Sequence, residues 1–271
     1  MSNPILNRSP YFGDQGAYYG APQQTVNPQE LAGMYAAPPA GPVQTDRMTY
    51  DDVLIKGASV FGLMLVGAAL GWVMMFRAPA VVITCWGIAL VLVIINAVKR
   101  QPSPALISAF AVVDGVFVGG ISAMFNTQWD GVVMQAVIAT LAVFGVTLAL
   151  FASGKIRASA KATKVFLIAL IGYFVFALIN FVLMVTGIQP AMFGMRATYT
   201  VMGIPLGVII GIFVVFLAAY SFVLDFDAAQ RGVRNGIPRR FAWTVAFSIL
   251  VDVVWLYLEM LRFFAILARN N

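Results

Sequence analysis

The sequence predicts an all-α integral membrane protein with seven spanning helices. Three observations predict it. Of the 271 residues, 61% are hydrophobic and only 10% charged, where a soluble domain is nearer half apolar and a quarter charged. Seven apolar runs follow one another, at about 53–76, 79–98, 104–125, 131–151, 163–187, 200–224 and 241–267. Ten of the seventeen Lys and Arg residues fall in alternate loops between them. Each run is near the ~20 residues that cross a ~30 Å hydrocarbon core as a helix. Open sheet edges do not occur in lipid and the runs lack period-two alternation, so helix is the expected form.

The chain divides at about residue 45. Residues 1–45 hold seven of the thirteen prolines and a cluster of Gln and Asn. A segment so poor in buriable surface is expected to be a disordered cytoplasmic tail. It has no basic start followed by an apolar stretch, so it does not read as a signal peptide. Residues 46–271 form the expected membrane domain.

Orientation follows from charge. Lys99, Arg100, Lys155, Arg157, Lys161, Lys164, Arg231, Arg234, Arg239 and Arg240 lie in loops on one side. The opposite loops hold only Arg77 and Arg196, with Arg269 in the tail. The positive-inside rule puts the first set in the cytoplasm, so the amino terminus is expected inside and the carboxyl terminus outside. Trp72 and Trp129 fall near the outer interface and Trp243 near the inner one, where amphipathic rings are favoured. The net charge of +6 is spent on these loops, so nucleic acid is not an expected partner.

Composition also excludes chemistry. There is no histidine, and Cys85 is the single cysteine. The usual metal ligand, the hydrolase base and any intrachain disulfide are therefore absent. Neither GxSxG nor HExxH occurs, so the chain is not expected to be an enzyme. No cofactor or tightly bound metal is expected. An intramembrane aspartyl protease would need two facing aspartates, which leaves Asp114 with Asp252 as the pair to check.

Small residues recur at four-residue spacing: Gly67 and Gly71, Gly115 and Gly119, and Gly203, Gly207 and Gly211. Each set is expected to form a groove for close helix packing. The polar residues inside the spans carry the functional signal. A charge at the bilayer centre costs at least ~2.5–3.5 kcal/mol, so it faces a partner or a wet cavity. Asp114 lies mid-span in helix 3 and Asp252 mid-span in helix 7. Glu259 is seven residues beyond Asp252 and shares its helix face. Arg262 is three residues beyond Glu259, within contact distance. Asp225 and Asp227 fall at the expected end of helix 6, where water begins. Asn96 and Asn180 are expected to hydrogen-bond between helices. The bland reading is structural: an inert Glu259–Arg262 pair, and an Asp252 that only bonds across to another helix.

Three stretches resemble the Bax inhibitor-1 family, in particular its bacterial YccA-like branch of seven-helix membrane proteins. FAVVDGVFVGGIS, residues 110–122, is similar to the acidic-Gly motif of helix 3. SFVLDFDAAQRG, residues 221–232, is similar to the motif that ends helix 6. WLYLEMLRFFAIL, residues 255–267, is similar to the Leu-Tyr-Leu-Asp motif of helix 7 and is the most specific of the three. The resemblance covers about 46–269. It implies a bundle with the last helix central, in the bacterial cytoplasmic membrane. It also implies a proton-sharing acid pair that closes a calcium-permeable path. Carried over by motif, the pair and a weak, transient calcium site would be Asp225 with Glu259. Glu259 stands where Asp is typical, Leu224 where Tyr is usual, and Asp114 where Glu is common.

Counting gives a different pair. Folding the chain about 235–238 sets Asp225 level with about Ser248. Asp252 is then ~4.5 Å further along helix 7, and Glu259 ~16 Å further. The motif favours Glu259, while the spacing favours Asp252. The leading expectation is a pH-sensitive passive calcium leak across the lipid bilayer, in which calcium ions and protons compete for the acids. The alternatives are a regulator that contacts a membrane protease or another integral complex, and a proton-coupled transporter.

Overall fold

The computed structural model describes residues 46–189 and 192–270. The tail expected at 1–45 lies outside the described residues. Among the described residues, seven helices are long and apolar enough to cross a membrane. They are α1 (Tyr50–Arg77), α2 (Pro79–Val98), α3 (Pro104–Gln128), α4 (Val132–Ala152), α5 (Ala160–Val185), α6 (Leu206–Arg234) and α7 (Ala242–Asn270).

Local signals set the helix starts. Thr49 caps α1 in a reciprocal box with Asp52, its hydroxyl accepting from the Asp52 amide at 3.1 Å, which satisfies two otherwise orphaned amides. Pro79 and Pro104 open α2 and α3, where proline's missing N–H costs nothing. Ser159 caps α5 through the Ala162 amide.

Helix 6 departs from the expectation at both ends. Residues 200–205 form a two-residue hairpin, with Thr200–Val201 paired to Ile204–Pro205. Met202 and Gly203 turn it with φ of 55° and 81°, the doubly positive geometry of a tight hairpin turn. Gly203 therefore serves a turn, not helix packing. Hydropathy missed this because TVMGIP is apolar whichever fold it takes. At its other end α6 runs on through Arg234. Asp225 ends the apolar run but not the helix, because the Ala, Gln and Arg residues that follow are good helix formers.

α3 and α7 are the most enclosed helices, with 56% of their most apolar stretch buried, followed by α6 at 44%; α1, α2 and α5 reach only 17%. The outer four helices show their large side chains outward, as Leu54, Ile138, Ile168 and Val185 do. α7 packs on α1, α3, α4 and α6, and α5 reaches it through Tyr173 and Trp255, whose ring centroids are 5.7 Å apart. The last helix is thus the axis of the bundle. α2 packs on α3 and α1 at the periphery.

Two seams hold this arrangement. Along α1 and α3 the backbones touch: a side chain on Gly67 or Gly71 would meet the carbonyls of Val112 or Val116, and one on Gly115 or Gly119 those of Met64 or Ala68. Removing Cβ lets two helices approach at backbone distance, which matters in lipid because no hydrophobic force draws helices together there. Along α6 and α7, Gly207 meets Ile266 and Gly211 meets Phe263. The start of α1 is tied to the α6–α7 loop as well. The Met48 amide donates to Ile237 O and the Arg239 amide to Asp46 O, both at 2.8 Å. Asp52 pairs with Arg239, and Lys56 Nζ donates to Arg239 O at 2.6 Å.

Gly119→Leu is expected to lower the melting temperature in detergent, by the ~1–3 kcal/mol typical of overpacking or more. Gly62→Ala, at a position where an added Cβ would have nothing within 4 Å, should leave it unchanged or raise it slightly. Equal melting of the two variants would contradict the seam.

Candidate functional site

The polar residues of α7 sort into two clusters, and its neighbours decide which goes where. α6 and α7 run antiparallel in one register. Ser248 Oγ donates to Asp225 Oδ1 at 2.7 Å, Ser221 Oγ donates to Asp252 Oδ2, and Gly211 and Gly207 face Phe263 and Ile266 further on. On this register the carboxyls of Asp225 and Asp252 lie one helical turn apart on facing helices. Asp225 is fully buried, whereas Asp252 is partly accessible. The inner cluster is therefore an acid pair on facing helices, flanked by two serine hydroxyls.

The outer cluster contains Glu259. Its Oε2 accepts from Arg196 Nη1 at 2.8 Å and its Oε1 from the Tyr173 hydroxyl at 2.6 Å. Arg262 also pairs with Oε1. Arg196 Nη2 donates to the Tyr173 oxygen at 3.1 Å, and its guanidinium lies over the rings of Tyr173 and Phe176 at 5.6 and 5.7 Å. Arg196 reaches this depth from the one-turn helix Met195–Thr198 between α5 and α6. Asn180 holds that turn in place: its Oδ1 accepts from the Met195 amide at 2.8 Å, and its Nδ2 donates to Phe193 O at 3.4 Å. Glu259 and Arg196 are 2% and 4% exposed, so each buried charge depends on the other.

The pairing carried over from the family motif, Asp225 with Glu259, is not what the fold brings together. On the observed register Glu259 is level with Val214, about three turns of α6 from Asp225. The acid next to Asp225 is Asp252, as the count from the turn indicated. The weak calcium site assigned to Asp225 and Glu259 is therefore not assembled as one site. Asp225 also does not sit where water begins: it is fully buried, and α6 runs about two and a half turns beyond it.

The remaining candidates are placed as follows. Asp114 lies on the ridge of α3 that faces α7, between the Phe110–Phe247 ring contact at 5.1 Å and the Ser122–Tyr257 hydroxyl pair at 2.6 Å. That is beside Leu250, about 200° around α7 from Asp252, so Asp114 and Asp252 do not face one another. Asp114 is 7% exposed, and its Oδ2 has no hydrogen-bond partner among the described residues. Asp227 pairs with Arg231 on its own helix at 3.1 Å. Asn96 donates to Leu92 O at 2.9 Å and to Leu106 O of α3 at 3.5 Å, the interhelical bond expected of it. Asn180 bonds to the α5–α6 connection rather than to another span.

Four participants were not singled out from the sequence: Tyr173, Arg196, Ser221 and Ser248. Ser248 precedes Asp252, and Ser221 precedes Asp225, by one turn on the same face, a spacing that would have flagged both. Arg196 looked like an ordinary loop cation, because hydropathy does not show that the connection folds inward.

A family model described as Bax inhibitor 1 like matches residues 3–269. The chain belongs to that family. The match extends through nearly all of the amino-terminal segment, beyond the 46–269 carried by the three motifs. Comparison with curated proteins returns no match. In this Bax inhibitor 1 like chain, the helix 6 motif supplies Asp225 to the inner cluster, and the helix 7 motif supplies Glu259 to the outer one.

Glu259→Gln is expected to destabilise the protein by about 3–5 kcal/mol, because it strands a buried guanidinium. Arg262→Gln should cost much less, since Arg262 is 37% exposed and water screens its charge. Chaotrope unfolding in detergent checks the order. A larger loss for Arg262→Gln would contradict the placement of Arg196.

Proposed function

We propose that this chain is a passive, proton-sensitive cation pathway in a bacterial cytoplasmic membrane, with its ten-cation face inward and calcium as the permeant ion. The observation that carries the reading is the Asp225–Asp252 pair, two acids on facing inner helices within a membrane-spanning bundle. Calcium comes from the family resemblance and fits the hard oxygen donors of the pair.

Two adjacent carboxyls in a low-dielectric site cannot easily both ionise. With one shared proton the pair is a hydrogen bond that holds α6 to α7. Loss of that proton leaves two like charges that push the helices apart and attract a hard cation. Ser221 and Ser248 add hydroxyl oxygens beside the carboxyls. The set falls short of the six to eight oxygens that calcium prefers, which suits brief occupancy during a leak rather than storage. Asp252, the partly accessible acid, is the point of proton entry.

The two other readings draw less support from the bundle. A regulator acting by contact on a membrane protease or another complex would draw on the amino-terminal tail, which lies outside the described residues, and on glycine-lined grooves, whereas Gly67, Gly71, Gly115, Gly119, Gly207 and Gly211 pack within the bundle. A proton-coupled transporter would be supported by paired broken helices, and Pro205, the one proline expected well inside a span, precedes α6.

In liposomes loaded with a calcium dye, flux through the reconstituted chain is expected to rise with external pH as the shared proton is lost. Asp225→Asn with Asp252→Asn should abolish that pH dependence, while Arg262→Gln should keep it. A double variant with the wild-type pH profile would overturn the assignment, and absence of any flux from the wild type would overturn the pathway.

A further inference from the structure

The outer cluster carries a charge that the acid pair does not explain. Two guanidiniums, Arg196 and Arg262, share one carboxylate, Glu259. Neither is paired with a second acid among the described residues. The cluster thus holds one excess positive charge at the depth of a spanning helix. Such a charge is costly without a counter-charge, and the two rings over Arg196 offset it only in part.

Beside these arginines lies a cavity of about 330 Å³, the lower end of the range for small-molecule sites. Arg196, Arg262 and Asn180 supply its polar wall, and Phe117, Phe181 and Met192 are among its apolar lining. It lies between α3 and α5, where Trp86 of α2 bridges the two helices, its ring 6.3 Å from Phe117 and 6.2 Å from Phe181. Phe181 and Met192 are 49% and 36% exposed, so the apolar wall continues onto the surface that meets lipid.

A site with net positive charge at one wall and a greasy wall open to the membrane selects an amphiphile with an anionic head. We propose that this cavity binds the oxyanion head of a lipid-like molecule, such as the phosphodiester of an anionic phospholipid. Arg262 is the principal contact and Arg196 the fixed charge behind it. Arg262 suits this role because it is partly exposed and its planar fork presents several donors to an oxyanion. The apolar chain of the ligand lies along Phe117 and Phe181, with Trp86 at the lateral rim. The inference is independent of the Asp225–Asp252 pathway, since the two clusters lie at different levels of α7 and binding is read without flux.

Native mass spectrometry of the full chain, titrated with phosphatidylglycerol, tests it. The wild type is expected to retain one lipid that phosphatidylcholine does not displace. Arg262→Gln should weaken retention at least tenfold. Ala177→Trp, which fills the cavity without altering its charge, should do the same, and a thermal melt of each variant confirms that it is folded. Arg240→Gln, at the opposite end of the bundle, should bind as the wild type does. Equal retention by wild type, Arg262→Gln and Ala177→Trp would overturn the site. Displacement of the lipid by inorganic phosphate would overturn the amphiphile and leave a free-phosphate site.

Discussion

The antiparallel contact of α6 and α7 is the constraint on which the rest depends. A helix places every fourth residue one turn further along, so one fixed contact sets all the others. With Ser248 on Asp225 and Ser221 on Asp252, Gly211 and Gly207 must fall against Phe263 and Ile266, and Glu259 must fall beyond the reach of Asp225. The short turn between the helices and the strap from Asp46–Met48 hold this register. A slip of one turn would part both hydroxyl–carboxyl bonds together.

α7 can carry two acids and an arginine because it is the axis of the bundle. Asp252, Glu259 and Arg262 all bond to side chains within the bundle, so each neighbour contributes what a given charge needs. The two clusters solve the cost of buried charge in different ways. At the inner level two serine hydroxyls donate to the acids, and under the proposed function a shared proton neutralises them, an arrangement that titration would undo. At the outer level guanidiniums neutralise the acid, and arginine keeps its charge at any accessible pH. Under that proposal one cluster responds to protons while the other stays charged, although both lie on the same helix.

Much of this was legible from the residues. Hydropathy and length identified seven spans, because in lipid every backbone group must be satisfied within a helix. The glycine spacing of α1 and α3 read as a close seam and is one. The level of Asp225 against Ser248 followed from counting back from the turn, since two antiparallel helices joined by a short loop have little freedom to slide. The motif-based pairing with Glu259 failed because similarity marks which residues matter without saying which of them touch. The start of α6 was misplaced because Thr200–Pro205 is apolar both as hairpin and as helix. Arg196 was illegible for a related reason: its depth is a property of the Asn180-anchored connection, which no periodicity reports.

The register itself can be measured directly. In a Cys85→Ser background, Ser221→Cys with Asp252→Cys should form a disulfide on mild oxidation in the membrane, because facing positions on packed helices come within the few ångströms that such a bond requires. Asp225→Cys with Glu259→Cys, separated by about three helical turns, should not. Crosslinking of the second pair and not the first would contradict the account and restore the pairing suggested by the family motif.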